Sequence, residues 1–444
     1  MIKMPDLYDA TDLDYNASSR VVLSKIEIYF DPTPLTIDKD NYLIDWDVLE
    51  EVGSDSNNNP IGDTSANDFS FSLLNAGGIF SPANTAGPYY GKIKSGVKVI
   101  PYIRTKDTNW VQLGVFYVNE WNATITSLQA SISCYDDLNR IFNSDPVRPP
   151  MKAQYTVKDA YNQTLSSLGI TANIDSTLTD TIPWWYTLDG NKATLQTLSA
   201  AAVAGCFCDR TGVVKIINLT TPKTVRATIT DHDQLISAET SQALTKEFDG
   251  ISIILNKHQL TELEEILNVK DITLEEGTFN STLTRFNTNP IVQVEVVKFI
   301  SNLPNTQFVT FTANPYEIMY TLSNTGSAAA IVTLSFMGKS IEILKSEYFK
   351  SGTNPLALDN VYIQTETMAE RQRGILTRFT NSNLPYLDIT VRGNPLIQLG
   401  DKITIQSEKY SLNFTGYVLR QQFTYTGALR GQIRLVAANI LEVV

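Results

Sequence analysis

Hydrophobic and polar residues alternate with period two over much of this chain, the spacing that buries one face of a β-strand and leaves the other wet. Val22, Ser24, Ile26, Ile28 and Phe30 mark one strand face, and Asp31-Pro32-Thr33-Pro34 ends that run. Phe69, Phe71 and Leu73 open another, closed by Asn75-Ala76-Gly77-Gly78. Val97 and Val99 follow, then Val111, Leu113, Val115 and Tyr117, then a run from Ile125 to Cys134 that leads into Asp136-Asp137-Leu138. Five or six strands in about 120 residues predict a small antiparallel barrel or sandwich. Between them, the polar stretch 53–67 around Asp55-Ser56-Asn57-Asn58-Asn59-Pro60 is expected to form a mobile surface loop.

The period then changes. Pro146, Pro149 and Pro150 form a linker, after which Val157, Tyr161, Leu165 and Leu168 recur at helical spacing. Thr156 is placed to cap that helix and Gly169 to end it. A second helix is expected from about Ala193, with Leu195, Leu198 and Ala202 inward, stopping near Gly205. Cys206-Phe207-Cys208, the turn Asp209-Arg210-Thr211-Gly212 and Val213-Val214-Lys215-Ile216 read as a hairpin. Further strands are clearest at Ile291–Ile300 and Ala330–Phe336, with a polar, turn-rich stretch between Asn302 and Asn324. Residues 365–380 predict a helix with Met368, Ile375, Leu376 and Phe379 as its stripe, weakened by Gly374. The end of the chain returns to period two. Leu387, Ile389 and Val391 alternate, Gly393-Asn394-Pro395 breaks the run, Gly400-Asp401 makes a second turn, and Ile403 and Ile405 resume it.

The fold class is therefore mainly β with a few helices (α+β) and multidomain, divided at 1–145, 146–220 (helix pair and hairpin), 221–364 (a β-rich insert or docking domain) and 365–444 (helix plus a second β-block). Length supports that division, since 444 residues exceed a single typical domain. Hydrophobic residues at 43% and charged ones at 18% allow real cores. A net charge of −12, with no basic cluster longer than two residues, disfavours nucleic-acid binding. Three cysteines cannot make a disulfide framework, so a reducing compartment is expected. Neither a signal peptide nor a membrane-spanning run is visible, which predicts synthesis in the cytoplasm without membrane anchoring.

Candidate chemistry is sparse. Cys206 and Cys208 would share one strand face, but zinc wants four ligands and the chain has only His232 and His258 to add. They read better as small buried hydrophobes. Asp231-His232-Asp233 resembles an oriented base, yet it sits in a polar turn with no nucleophile elbow. Paired acids at Asp136/Asp137, Glu264/Glu265 and Glu275/Glu276 could serve a glycosidase, although neighbours on a strand point to opposite faces. Trp184, Trp185 and Tyr186 could stack on sugar rings, or simply pack. Glu262, Glu264, Glu265, Asp271, Glu275 and Glu276 form an acidic stretch that reads as a solvated face. No catalytic, cofactor-binding or metal residue is assigned, and no cofactor is expected. The alternative from another class is a β-rich carbohydrate-active or receptor-binding protein, glycosidase or lectin-like.

Four pieces, in order, carry a resemblance. They are Asp-Phe-Ser-Phe-Ser-Leu-Leu-Asn through Leu-Gly-Val-Phe-Tyr-Val-Asn-Glu-Trp within 66–121, the strand 131–138 ending in Asp-Asp-Leu, the helix pair followed by Cys208-Asp-Arg-Thr-Gly-Val-Val-Lys-Ile, and the helix 365–380 feeding Arg392-Gly-Asn-Pro-Leu-Ile-Gln-Leu-Gly-Asp-Lys-Ile. Together they resemble the hub proteins of long-tailed phages and contractile injection systems, the group of myophage baseplate hubs and the N-terminal part of siphophage tail-associated lysins. The resemblance implies two tube-like antiparallel β-barrel domains per subunit, at 1–145 and 365–444. It implies a homotrimer whose six barrels face a hexameric tail tube, located in a virion tail tip or baseplate. Its partners would be the tail tube protein, distal tail or baseplate proteins, a spike or fibre and the tape measure protein, with DNA passing through the lumen unbound. Lysin-type relatives continue into peptidase or glycosidase modules, whereas this chain stops at Val444, so a non-enzymatic role is expected. One geometric expectation follows: the block at 386–436 should lie beside the N-terminal block.

Overall fold

The computed structural model describes residues 9–442, apart from residues 18, 53–61, 63, 232–234, 240–247 and 287–289. The centre of the polar 53–67 loop and His232 lie outside the described residues. After a short helix α1 (Asp12–Asn16), eight strands follow: β1 (Val22–Tyr29), β2 (Leu35–Asp38), β3 (Leu43–Glu51), β4 (Asp68–Leu74), β5 (Lys98–Thr105), β6 (Val111–Gln112), β7 (Phe116–Asn122) and β8 (Gln129–Tyr135). Alternation places Val22, Ser24, Ile26 and Ile28 of β1 inward, as their spacing predicts. The strand expected from Ile125 begins only at Gln129. Residues 124–127 are instead a turn, held by the buried Asn75, whose side-chain amide donates to the carbonyls of Thr124 and Ser127 at 2.9 Å each.

The middle of the chain is α2 (Asp137–Asn143), β9 (Lys152–Thr156), α3 (Val157–Ser166), β10 (Ala172–Ile174), β11 (Thr181–Trp185), α4 (Asn191–Ala202), β12 (Ala204–Cys208) and β13 (Val214–Asn218). The Thr156 hydroxyl accepts from the Asp159 amide at 3.0 Å, so the capping residue is the expected one. The second helix starts two residues earlier than predicted and ends through Val203 in the left-handed region (φ 55°), not at Gly205. Strands β14 (Val225–Thr230) and β15 (Leu235–Glu239) come next. Then follow β16 (Gly250–Leu260), β17 (Glu264–Leu274), β18 (Phe279–Arg285), β19 (Ile291–Ser301), β20 (Thr306–Ala313), β21 (Glu317–Asn324), β22 (Ala330–Lys350) and β23 (Pro355–Asp359). The stretch expected to be turn-rich, Asn302–Asn324, is a hairpin of two strands. Phe308, Phe311, Ile318, Tyr320 and Leu322 supply an apolar face that its Asn and Thr content conceals. The chain closes with α5 (Glu366–Asn381), β24 (Tyr386–Val391), β25 (Lys402–Ser407), β26 (Leu412–Tyr425), β27 (Leu429–Ala437) and α6 (Ala438–Leu441).

One sheet of 14 strands contains strands from the first and last blocks of the chain, in the order β15-β24-β27-β26-β3-β4-β8-β7-β5-β1-β2, with β25 and β14 continuing from β26 and β6 beside β5. It wraps two cores. One holds Trp46, Phe69, Phe71, Phe80 and Phe116, and the other Leu387, Ile389, Ile403, Ile405, Val418 and Leu435. The region 221–364 is split in space: β14 and β15 join the C-terminal part of the large sheet, whereas β17, β22 and β19, part of a five-stranded sheet with β16 and β23, pack with the sheet β18-β21-β20 around a core of their own. The helices α2–α5, together with β12, β13, β16 and β23, enclose the remaining large core. No helix among the described residues is long and apolar enough to cross a membrane.

Candidate functional site

The two β-blocks meet along a single strand pair. β26 is long enough to serve both: Leu412–Tyr417 pairs with β25, and Arg420–Tyr425 pairs with β3, from Arg420 opposite Glu51 to Tyr425 opposite Trp46. An irregularity between Val418 and Arg420 lets the strand turn from one partner to the other. Phe423 and Tyr425 then point into the N-terminal core, where Tyr425 stacks on Trp46 with centroids 5.6 Å apart.

On the core side of this seam lies a buried ion pair. Glu50 points inward from β3, and Arg210 reaches it from the β12–β13 turn through two hydrogen bonds of 2.9 and 2.8 Å. Such a pair is stable only if its remaining donors are satisfied. The second guanidinium edge donates to the carbonyls of Pro395 and Ile397, and Gln421 of β26 donates to Glu50 at 2.6 Å and to Ile397 at 3.1 Å. Asp209 stiffens the turn that aims the arginine, accepting from the amides of Thr211 and Val213 at 2.9 and 3.1 Å. One guanidinium therefore ties the N-terminal block, the helical region and the C-terminal block together.

The turn Gly393-Asn394-Pro395 is the other half of that knot. Gly393 adopts φ 94°, and a Cβ there would lie 2.9 Å from Leu429 Cγ. Arg20 donates to the carbonyls of Gly393 and Arg392 at 3.0 and 2.7 Å, and buried Asn394 donates to Asp12 at 2.8 Å. Gly400 (φ 76°) closes the second turn against Ile217, which a Cβ would approach to 2.2 Å. These turns hold the segment around Asp12 and Arg20 and the β12–β13 hairpin.

The opposite face of the same strands is polar. Gln422 and Thr424 donate to Asp47 at 2.8 and 2.9 Å, and Arg434 pairs with Asp388 at 2.8 Å. Asp388, Thr390, Arg420, Gln422, Gln432 and Arg434 line a shallow depression of about 250 Å³ there. Burial, then the charges of Glu51 and Asp47, pushes the Asp68 carboxyl up to about 6.

The residues singled out in the sequence are scattered. Cys206 and Cys208 are buried, and burial pushes the Cys206 thiol up to about 12. Among the described residues no group of three His, Cys, Asp or Glu side chains could hold a metal. Asp136 caps α2 at 2.9 Å and also accepts from the Asn67 amide at 3.0 Å, while Asp137 pairs with Arg140 at 3.2 Å. Asp231 accepts from the Ser407 hydroxyl at 2.6 Å. His258 donates from Nδ1 to the Asn256 carbonyl at 2.9 Å and faces the Tyr186 hydroxyl, and burial lowers its pKa. Glu264 and Glu265 bind Ser340 and Ser335 at 2.7 and 2.6 Å. Glu275 and Glu276 precede β18 in an exposed turn. Trp185 and Tyr186 are buried, with Trp185 stacked on Tyr155. Sequence reasoning missed Glu50, Arg210 and Gln421. The available signal was Glu50, a charge that continues the inward series Trp46, Val48.

No family model and no curated protein matches the sequence. Solved structures do match. The 43 kDa tail protein of prophage MuSo2 from Shewanella oneidensis superposes with a TM-score of 0.54 at 10% identity, over 95% of this chain and 100% of that one. The chain has a phage tail-protein fold. A tail protein from Neisseria meningitidis MC58 agrees, with a TM-score of 0.52 at 10% identity over 95% and 98% of the two chains. At such identity the tail-protein fold is held by patterning and packing, and individual residues need not coincide.

Proposed function

We propose that this chain is a non-enzymatic structural hub of a phage tail tip or baseplate, three copies of which close into a ring between a hexameric tail tube and a three-fold spike or tip. The observation that carries this reading is the β3–β26 seam. It joins the two β-blocks side by side in one sheet, and in this reading three subunits would offer six such units. In this reading 1–145 and 365–444 are the two tube-facing units, with β14 and β15 lent to the second, and 146–220 and most of 221–364 stand outside them. The strands at the sheet's ends support ring closure: β2, β14 and β15 each pair on one side only among the described residues, and neighbouring subunits would cover such edges. Tail tube, distal tail or baseplate proteins, a spike or fibre and the tape measure protein are the partners this role requires. The mixed, largely paired charge of the polar face suits a wall past which DNA moves without being held.

Mass measurement in solution and negative-stain microscopy test it. A three-fold ring with a central hole is expected, alone or after addition of the tail tube protein. A monomer that forms no ring under either condition sinks the proposal.

A further inference from the structure

The arm formed by β17–β22 is fixed to the rest of the molecule and, among the described residues, carries one strand edge without a blunting feature. Arg148 binds Glu317 at 2.8 Å and Tyr316 donates to the Thr187 carbonyl at 2.6 Å, which sets the arm's orientation. Its strand β18, Phe-Asn-Ser-Thr-Leu-Thr-Arg, lies at the rim of the sheet β18-β21-β20, with six of its seven residues exposed. Phe279 and Leu283 stand 67% and 62% exposed on one face, beside Met319, which pairs with Leu283. Exposed edges are normally blunted by a bulge, a proline or a charge. The neighbouring edge β17 has two register breaks, and β20 has one. β18 has an unbroken register over all seven pairs, no proline, and no charge before Arg285.

We propose that β18 pairs antiparallel with β18 of a second copy, centred on Thr282, and joins two three-stranded sheets into one of six. The strand is complementary to itself in that register. Thr282 meets Thr282, Ser281 meets Leu283, Asn280 meets Thr284, and Phe279 meets Arg285, so no like charges face each other. Phe279 of one copy lies diagonal to Leu283 of the other, within the reach of an aromatic ring. Arg285 is carried toward the acidic turn Glu275-Glu276 that precedes β18 of the second copy, an opposite charge at each end of the seam. An unrelated strand would match this charge order only by coincidence, whereas a second copy supplies it. The pairing is independent of the proposed ring, because it uses the arm and not the sheet that contains the seam.

The full chain carrying Thr282→Cys tests this, since its three native cysteines are buried. Mild oxidation is expected to give a thiol-reversible covalent dimer in high yield, while Thr312→Cys on β20 stays unlinked. In parallel, sedimentation of the unmodified chain should show the particle mass doubling with concentration from its dilute-limit value. Phe279→Lys should abolish the doubling with an unchanged circular dichroism spectrum. Linkage of Thr282→Cys no greater than that of Thr312→Cys overturns the proposal, and so does a mass independent of concentration. The dilute-limit mass reports on the ring separately, so failure of one reading is distinguishable from failure of the other.

Discussion

Replacing Arg210 by alanine removes the guanidinium of the buried network at the β3–β26 seam and leaves Glu50, 4% exposed, without its cation. Removing one partner of a buried pair costs about 3–5 kcal/mol, because the other charge stays desolvated without compensation. The carbonyls of Pro395 and Ile397 lose a donor in the same step. An internal standard is available in Lys345 and Asp359, which are 2.6 Å apart, no farther than Arg210 and Glu50, yet 57% and 46% exposed. Exposed pairs contribute about 0–1 kcal/mol. Distance alone therefore predicts equal losses for Arg210→Ala and Lys345→Ala, whereas burial predicts a gap of at least 2 kcal/mol, roughly the difference between those two ranges. Urea unfolding followed by tryptophan fluorescence measures it, since Trp46 is buried at the seam and donates to the Ser24 hydroxyl at 2.7 Å. Arg210→Lys should fall between, keeping charge but losing the fork that reaches Glu50 and the two carbonyls together. If Arg210→Ala and Lys345→Ala shift the transition equally, the network is not what holds the blocks together.

Three further outcomes are expected. Gly393→Ala forces a Cβ into the left-handed region and against Leu429, and should cost about 1–3 kcal/mol in the same urea assay; an unchanged midpoint would refute the packing argument. Asp136 has a carboxyl that burial pushes up to about 7, so its folded form favours the proton. Its contribution is full below the ordinary carboxylate range near ~4 and declines as pH rises to about 7. Asp136→Asn, which retains the cap acceptor, should flatten that part of the stability profile, and an unaltered slope counts against it. Asn75→Ala should loosen residues 124–128 selectively, visible as faster amide exchange there with β8 still protected.

Much of the fold was legible because its signals are local. The inward series of β1, β4 and β24 is strict alternation, and Thr156 caps α3 through its own side chain. The hub resemblance also led to the adjacency of the two β-blocks, which the seam shows. What the pattern hid was non-local. β20 and β21 are stabilised by pairing with each other and packing on β19 and β22, so their Asn and Thr content masked them. Val203 takes the left-handed turn that Gly205 seemed made for, because Val203 lies buried where the helix meets the hairpin. Arg210 looked like ordinary turn chemistry, and its role exists only where residues 50, 395, 397 and 421 converge.

The strand β22 has a mechanical consequence. Its 21 residues run unbroken from the arm, where β17 and β19 flank it, into the helical region, where β16 does. At about 3.3 Å per residue that is on the order of 70 Å of continuous backbone. A pull on the far end travels along covalent bonds and loads the flanking ladders in shear, so many hydrogen bonds resist at once and none can be unzipped singly. One continuous strand thus links the arm to the sheet that packs against α5, so a load on the arm reaches that sheet along the backbone itself.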